Sequence, residues 1–144
     1  MALYRWLFVL VVMAIIFLLS NIPHLALFDS VMSASLRKLF HNYSMSLGGV
    51  GFFSYTINLH PDYLLHKFGH IILYGLLGAA VYIATGRSTL AAVLICIIFA
   101  VSDEYHQLFI PGRSSRFFDI VLDSVSALAS ILFLRNVLMN RERT

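Results

Sequence analysis

Charged side chains are scarce in this chain of 144 residues. Asp, Glu, Lys and Arg together supply 12% of the sequence, whereas soluble domains carry about 25%. Apolar residues supply 60%, and the mean hydropathy is strongly positive. This composition excludes an ordinary water-soluble domain and is typical of a protein whose solvent is lipid. At this length we expect a single domain over residues 1–144.

Cysteine and clustered basic residues are also lacking. Cys96 is the one cysteine, which excludes an intrachain disulfide framework, and its apolar surroundings predict that it packs as a small hydrophobe. The net charge of +3 comes from Arg and Lys placed between apolar runs and near the C-terminus. That distribution favours an anionic membrane surface over nucleic acid. We therefore expect the lipid bilayer, and no nucleic acid, as a partner.

Four apolar runs are long enough to cross a membrane, at residues 4–22, 64–85, 88–109 and 117–134. No small-x-small cleavage site follows the first run, so we interpret it as a retained helix rather than a signal peptide. The predicted fold class is an all-α membrane protein, a bundle of four transmembrane helices. Small residues in the second run predict close helix approaches, at Gly69, Gly75, Gly78 and Ala79.

The predicted loop 23–63 has its own pattern. Within residues 28–41, apolar side chains recur at helical spacing and polar ones fall on the opposite side, which predicts an amphipathic helix lying along the membrane surface. An ordinary loop with scattered apolar residues is the alternative, because short isolated helices are marginal. Gly48-Gly49-Val50-Gly51 then ends any regular element.

Orientation follows from the short flanking segments. The turn at Gly86-Arg87 and the C-terminal Arg135, Arg141 and Arg143 favour cytoplasmic termini by the positive-inside rule. Lys67, Arg113 and Arg116 instead lie among acidic residues and histidines, as if placed for a site. We expect the loop 23–63 and the connection 103–116 to face outward, away from the cytoplasm.

Polar residues form a stripe on each of the last three predicted spans. In the second span Lys67, His70 and Tyr74 share one helical face, with His66 one turn before His70. Stripes of the same kind recur in the third and fourth spans, each toward the outward end. Charges at membrane depth are costly unless they face each other or a wet cavity. The predicted ligand-binding site is therefore formed by Lys67, His70, Tyr74, Asp103, Glu104, His106, Gln107, Arg113, Asp119 and Asp123.

This predicted site has three interpretations. It can be a structural ion-pair network in which Lys67 and Arg113 neutralise the aspartates. It can be a divalent metal site for zinc or manganese, with candidate ligands His70, Asp103, His106 and Asp123. It can also be an anion pocket, in which Lys67, Arg113 and Arg116 bind the phosphate or carboxylate of an envelope molecule, such as a lipid-linked headgroup.

Catalysis and transport are further alternatives. If the site is catalytic, proton transfer falls to a carboxylate or an imidazole, with candidates His70, Asp103, Glu104, His106 and Asp123. Such a protein is an intramembrane enzyme acting on a lipid or a lipid-linked substrate. A continuous transport path is disfavoured, because the inner halves of the spans, such as residues 79–84 and 91–100, carry no charged side chain.

Two segments together resemble a known family. Residues 66–78, with His66-Lys67-Phe68-Gly69-His70, and residues 102–113, with the string Asp-Glu-x-His-Gln…Pro-Gly-Arg, are followed by Asp119 and Asp123. This pattern closely resembles the VanZ-like family of bacterial membrane proteins over about residues 65–134. Relatives usually have glycine where this chain has Ser126 and Ser130. The resemblance implies a cell-envelope protein associated with resistance to the glycopeptide teicoplanin, and it does not supply a reaction.

Overall fold

The chain folds into five helices and one short hairpin over the part described by the computed structural model, residues 2–22, 27–28, 31–42, 44–47, 51–111, 113 and 115–143. Four of these helices are long and apolar enough to cross a membrane. The elements in chain order are α1 (Ala2–Ser20), α2 (Ala34–Asn42), β1 (Met45–Leu47), β2 (Tyr55–Ile57), α3 (Pro61–Ala84), α4 (Thr89–Gln107) and α5 (Phe117–Arg141). The predicted all-α membrane fold, with a short helix between the first two spans, is confirmed.

Local signals in the sequence set the ends of the spans. Pro61 is the first residue of α3, where its missing N–H costs nothing, and His60 Nδ1 accepts a hydrogen bond from Asp62 N at 3.3 Å. Gly86, at φ +66°, supplies the left-handed turn after α3. Ser88 then caps α4, because its Oγ accepts from Ala91 N at 3.4 Å. The second and third spans are therefore antiparallel neighbours joined by a tight turn.

Three features differ from the sequence expectations. Helix α5 continues to Arg141 rather than ending near residue 134, because no proline or glycine interrupts it. Helix α2 starts only at Ala34, after Ser33 Oγ accepts from Leu36 N at 3.4 Å. The antiparallel pairing of β1 with β2 was not predicted. Pro23, Gly48, Gly49, Val50 and Gly112 lie outside the described residues.

Helix α3 is the central span and packs against α1, α4 and α5. Its buried Tyr74, Leu77 and Val81 form the middle of the core, together with Val12 of α1 and Ile131 of α5. Large apolar side chains on the outer faces of all four spans are exposed, as expected where lipid covers them. The buried interior is therefore narrow and includes the polar stripes.

The predicted close helix approach is found at one glycine in particular. A Cβ on Gly78 would lie 2.5 Å from the carbonyl oxygen of Ala127 in α5, so only glycine permits this contact. At Gly75 the nearest atom would be 3.9 Å away, which is ordinary contact. At Gly69 nothing described lies within 4 Å. The expectation of a close approach at Gly69 is therefore wrong, and this residue borders a cavity instead.

Candidate functional site

The three polar stripes meet at one end of the bundle. Because α3 and α5 run antiparallel to α4, the first turns of α3 and α5 lie beside the last turns of α4. One ligand atom from each of His70, Asp103 and Asp123 lies within 4.8 Å of the other two. Asp103 and Asp123 are almost fully buried, and His70 is partly buried. The expectation that separate helices contribute to one polar cluster therefore agrees with the geometry.

Asp103 is held by hydrogen bonds from three helices. Its Oδ2 accepts from Ser20 Oγ of α1 at 3.0 Å, from Gln107 Nε2 at 3.2 Å and from the Tyr74 hydroxyl at 3.5 Å. Its Oδ1 is enclosed and accepts no hydrogen bond from the described residues. Asp103 thus joins α1 to α3 and α4 through one oxygen, while the other has no donor in the described part of the chain.

His70 and Asp123 form a second contact within the same cluster. The Nδ1 atom of His70 lies 3.2 Å from Oδ2 of Asp123. Asp123 Oδ1 is also enclosed and, among the described residues, has no hydrogen-bond donor. The His70 ring is stacked with that of Tyr74, with centroids 6.0 Å apart, and lies at a tilt to that of His66, with centroids 4.6 Å apart. These rings form a continuous polar column along α3.

Lys67 pairs with Asp119 beside the cluster. Lys67 Nζ donates to Asp119 Oδ1, and both side chains are largely buried. The Lys67 ammonium also lies 5.6 Å from the ring centre of Tyr55 and 5.5 Å from that of Tyr63, distances at which cation–π attraction operates. Tyr55 belongs to β2, so the hairpin covers this ion pair.

Glu104 is hydrogen-bonded to the segment that follows α4. It is buried, and its Oε2 accepts a hydrogen bond from the backbone N–H of Arg116 at 2.9 Å. This contact ties the end of α4 to the start of α5. The side chain of Arg116 has no role in it, because the donor is the backbone.

Among the residues that the structure describes, Arg113 contacts the end of α1 rather than a carboxylate. Its Nη2 donates to the Leu19 carbonyl at 3.0 Å and its Nε to the Ile22 carbonyl at 3.2 Å, satisfying groups that a helix end leaves free. Its Nη1 lies 2.9 Å from Nε2 of His66. Partial burial lowers the pKa of the Arg113 guanidinium, while Asp103 opposes this effect, and the group keeps its charge.

His106 also faces α1 and lies away from the group formed by His70, Asp103 and Asp123. Its Nε2 donates to Asn21 Oδ1 at 3.0 Å, and its ring stacks on Phe17 with centroids 4.4 Å apart. Of the four candidate metal ligands, the structure therefore brings three together and places His106 elsewhere. The ion-pair hypothesis also expected Arg113 to contact an aspartate, and among the described residues it makes no such contact.

Between α1 and α3, a cavity of about 230 Å³ opens beside the polar column. Arg113 and His66 lie on its polar side, with His70 and Tyr74 deeper on α3. The remaining wall is apolar and includes Gly69, Ile16, Leu19, Leu65 and Leu73. The cavity therefore offers a cation and imidazoles to a polar group and an apolar wall to a hydrocarbon one.

Sequence reasoning missed the contribution of α1 to this region. Ser20 and Asn21 contact Asp103 and His106, and neither was a candidate. The available signal was that these two polar residues follow directly on a long apolar run, at the depth of the other stripes.

These features define a multi-pass α-helical membrane protein with a buried polar cluster at one end of its bundle. The family model VanZ/LLP1 matches residues 5–139, nearly the whole chain. The chain belongs to this family, as its resemblance to VanZ-like proteins predicted. Neither a curated protein nor a solved structure matches the chain.

Proposed function

We propose that this protein reduces the action of glycopeptide antibiotics such as teicoplanin by binding an anionic headgroup at its polar site. The headgroup belongs to a membrane lipid or to a lipid-linked cell-wall precursor. Membership of the VanZ/LLP1 family supports the general role. The observation that carries the binding site is the cavity between α1 and α3, with Arg113 on its polar side and an apolar wall opposite.

The dimensions and chemistry of the cavity suit part of an amphiphile. Its volume of about 230 Å³ is below the roughly 300–1,000 Å³ of pockets that enclose whole drug-sized ligands. A guanidinium has five N–H donors, and the contacts of Arg113 to Leu19, Ile22 and His66 use one on each nitrogen. A phosphate or carboxylate near Arg113 accepts from the donors that remain. The hydrocarbon part then lies along Leu19 and Leu73 and continues into the bilayer.

We further propose that the site faces outward from a bacterial cytoplasmic membrane, with both termini in the cytoplasm. The end of the bundle that holds the termini and the α3–α4 turn has Arg5, Arg87, Arg135, Arg141 and Arg143, against one acid, Glu142. The opposite end holds as many basic residues, but Lys67 and Arg113 contact groups of the polar region there, so they are placed for the site rather than for topology. The positive-inside rule therefore favours cytoplasmic termini.

A pair of filling variants tests the binding site. Gly69→Phe adds a ring at a position that lines the cavity, and nothing described lies within 4 Å of a Cβ there. Ala79→Phe is the matched control, since Ala79 borders a second groove between α1 and α3 at the other end of the bundle. The readouts are teicoplanin susceptibility of a sensitive host and lipids retained by the purified protein, identified by mass spectrometry.

We expect Gly69→Phe to lose protection and the retained amphiphile, with an unchanged amount of protein in the membrane. Ala79→Phe should keep both. Equal losses in the two variants would indicate a general packing defect. Full protection by Gly69→Phe would exclude the cavity as the binding site.

The second candidate function is an intramembrane enzyme acting on a lipid or lipid-linked substrate. The observation in its favour is the His70–Asp123 contact of 3.2 Å at the inner side of the cavity, an arrangement in which a carboxylate orients an imidazole for proton transfer. Incubation of the purified protein with total membrane lipid, followed by mass spectrometry, separates turnover from binding. A product that disappears in Asp123→Asn would favour the enzyme.

A further inference from the structure

We propose that His70, Asp103 and Asp123 bind one divalent transition-metal ion, Zn²⁺ or Mn²⁺, inside the helix bundle. One nitrogen and two carboxylate ligands suit these ions better than Mg²⁺ or Ca²⁺, which prefer oxygen alone. The proposal goes beyond headgroup binding and does not depend on it. The ion holds α3, α4 and α5 together whether or not the cavity is filled.

The spacing of the ligand atoms supports a shared ion. The three side chains come from three different helices, and one ligand atom of each lies within 4.8 Å of the others. His70 Nδ1 and Asp123 Oδ2 are 3.2 Å apart. Two ligands of one tetrahedral ion, with bonds of about 2.0 Å, lie about 3.3 Å apart. The ligand atom of Asp103 lies within 4.8 Å of both of these groups.

The two aspartates also have coordination capacity that the described residues do not use. Oδ1 of Asp103 and Oδ1 of Asp123 are both enclosed and accept no hydrogen bond within the part of the chain described here. A buried acceptor without a donor is costly, and the cost is larger for a charged group. Both oxygens lie on ligands of the same three-residue group, so one cation satisfies both.

Charge balance points to a cation as well. Lys67 is engaged by Asp119, and Arg113 donates to carbonyl groups of α1. Among the described residues, neither cation forms an ion pair with Asp103 or Asp123, and the basic group paired with Asp123 is His70, at 3.2 Å. Buried charges in proteins are paired or coordinate a metal.

The surroundings of Asp103 resemble the support that metal ligands receive. Ser20, Gln107 and Tyr74 all donate to Oδ2, which fixes the carboxylate and turns Oδ1 toward other partners. Outer hydrogen bonds of this kind orient ligands and tune metal affinity. Oδ1 of Asp103 is then the coordinating oxygen.

Metal analysis of untagged protein in detergent tests this proposal. The protein is stripped with a chelator and titrated separately with Zn²⁺ and Mn²⁺, and the bound metal is measured by calorimetry and elemental mass spectrometry. We expect one ion per chain, and at least tenfold weaker binding in Asp103→Asn and Asp123→Asn. Glu104→Gln is the matched control, because Glu104 is equally buried, adjacent to Asp103 and outside the three-residue group. It should bind within about twofold of the wild type.

Absence of stoichiometric binding to the wild type would overturn the proposal. So would equal losses in Glu104→Gln and Asp103→Asn. If the asparagine variants do not fold, X-ray absorption of the loaded wild type decides. A metal coordinated by one imidazole and by carboxylate oxygens would support the site, whereas coordination by sulfur or by several imidazoles would contradict it.

Discussion

At the scale of single residues, the polar cluster is held by pairs that span different helices. Lys67 and Asp119 belong to α3 and α5, and each side chain is only 13% exposed. At that burial, removing one partner leaves the other charge without compensation. Removing both partners avoids that penalty. Comparing the stability of the single and double variants therefore distinguishes the effect of the ion pair from that of lost packing.

The first residue-scale prediction concerns this pair. Lys67→Ala should lower the free energy of unfolding by about 3 kcal/mol, because it leaves the buried Asp119 carboxylate unpaired. The double variant Lys67→Met with Asp119→Leu should lie within about 1 kcal/mol of the wild type. Denaturant unfolding in mixed micelles measures both. If the double variant is as unstable as the single one, the ion pair has no such role.

Sequence patterns predicted which residues join the cluster better than they predicted its pairings. Helical spacing placed Lys67, His70 and Tyr74 on one face, and the structure has all three beside the other stripes. The same spacing could not show that Arg113 would contact the end of α1, since that depends on the path of the chain after α4. His106 likewise shares a helix end with Asp103 but contacts α1 through Asn21.

At the scale of elements, the C-terminal end of α1 is held by three side chains from α4 and the segment after it. Asp103 accepts from Ser20, His106 donates to Asn21, and Arg113 donates to the Leu19 and Ile22 carbonyls. We call these contacts the α1 clasp. Because the cavity opens between α1 and α3, the clasp also fixes one wall of the proposed binding site.

Replacing Arg113 tests the α1 clasp. Arg113→Lys keeps the charge but loses the planar fork, so at least one carbonyl bond of α1 is lost. Each bond contributes about 1 kcal/mol, and amide exchange at the end of α1 should therefore accelerate by roughly five- to thirtyfold. Hydrogen exchange followed by mass spectrometry compares this end with the first half of α1, which should not change.

Arg116→Lys is the matched control for the α1 clasp. Its described contact to Glu104 uses the backbone N–H, which the substitution preserves. Exchange at the end of α1 should therefore match that of the wild type. If Arg116→Lys accelerates exchange as much as Arg113→Lys does, the effect is one of general electrostatics and the clasp is not supported.

The β1–β2 hairpin shows where element prediction fails. Each strand has three residues, which is too short to show an alternating pattern. The hairpin is instead positioned by tertiary contacts, among them Phe117 N donating to the Phe52 carbonyl at 2.9 Å and the Tyr63 hydroxyl donating to the Thr56 carbonyl at 2.6 Å. Such contacts depend on α3 and α5 being in place and leave no local signal.

At the scale of the whole molecule, the spans are visible in the sequence because the bilayer imposes a length and an apolar composition on each one. The sequence shows less clearly which helix packs against which. Central placement of α3 depends on small contact residues such as Gly78, which lies against Ala127. Several glycines in that span looked equivalent before the structure distinguished Gly78, at a close approach, from Gly69, beside a cavity.

Cysteine labelling tests the proposed orientation of the whole bundle. In a Cys96→Ala background, Leu59→Cys lies in the exposed segment before α3 and Asn140→Cys lies at the exposed end of α5. Cells are treated with a membrane-impermeant maleimide before and after permeabilisation. Cytoplasmic termini require that Leu59→Cys reacts in intact cells and that Asn140→Cys reacts only after permeabilisation. The reverse labelling pattern would place the polar cluster and its cavity on the cytoplasmic side, out of reach of an outer-leaflet headgroup. That result would contradict the proposed route to glycopeptide protection. The metal proposal would be unaffected, because it does not depend on orientation.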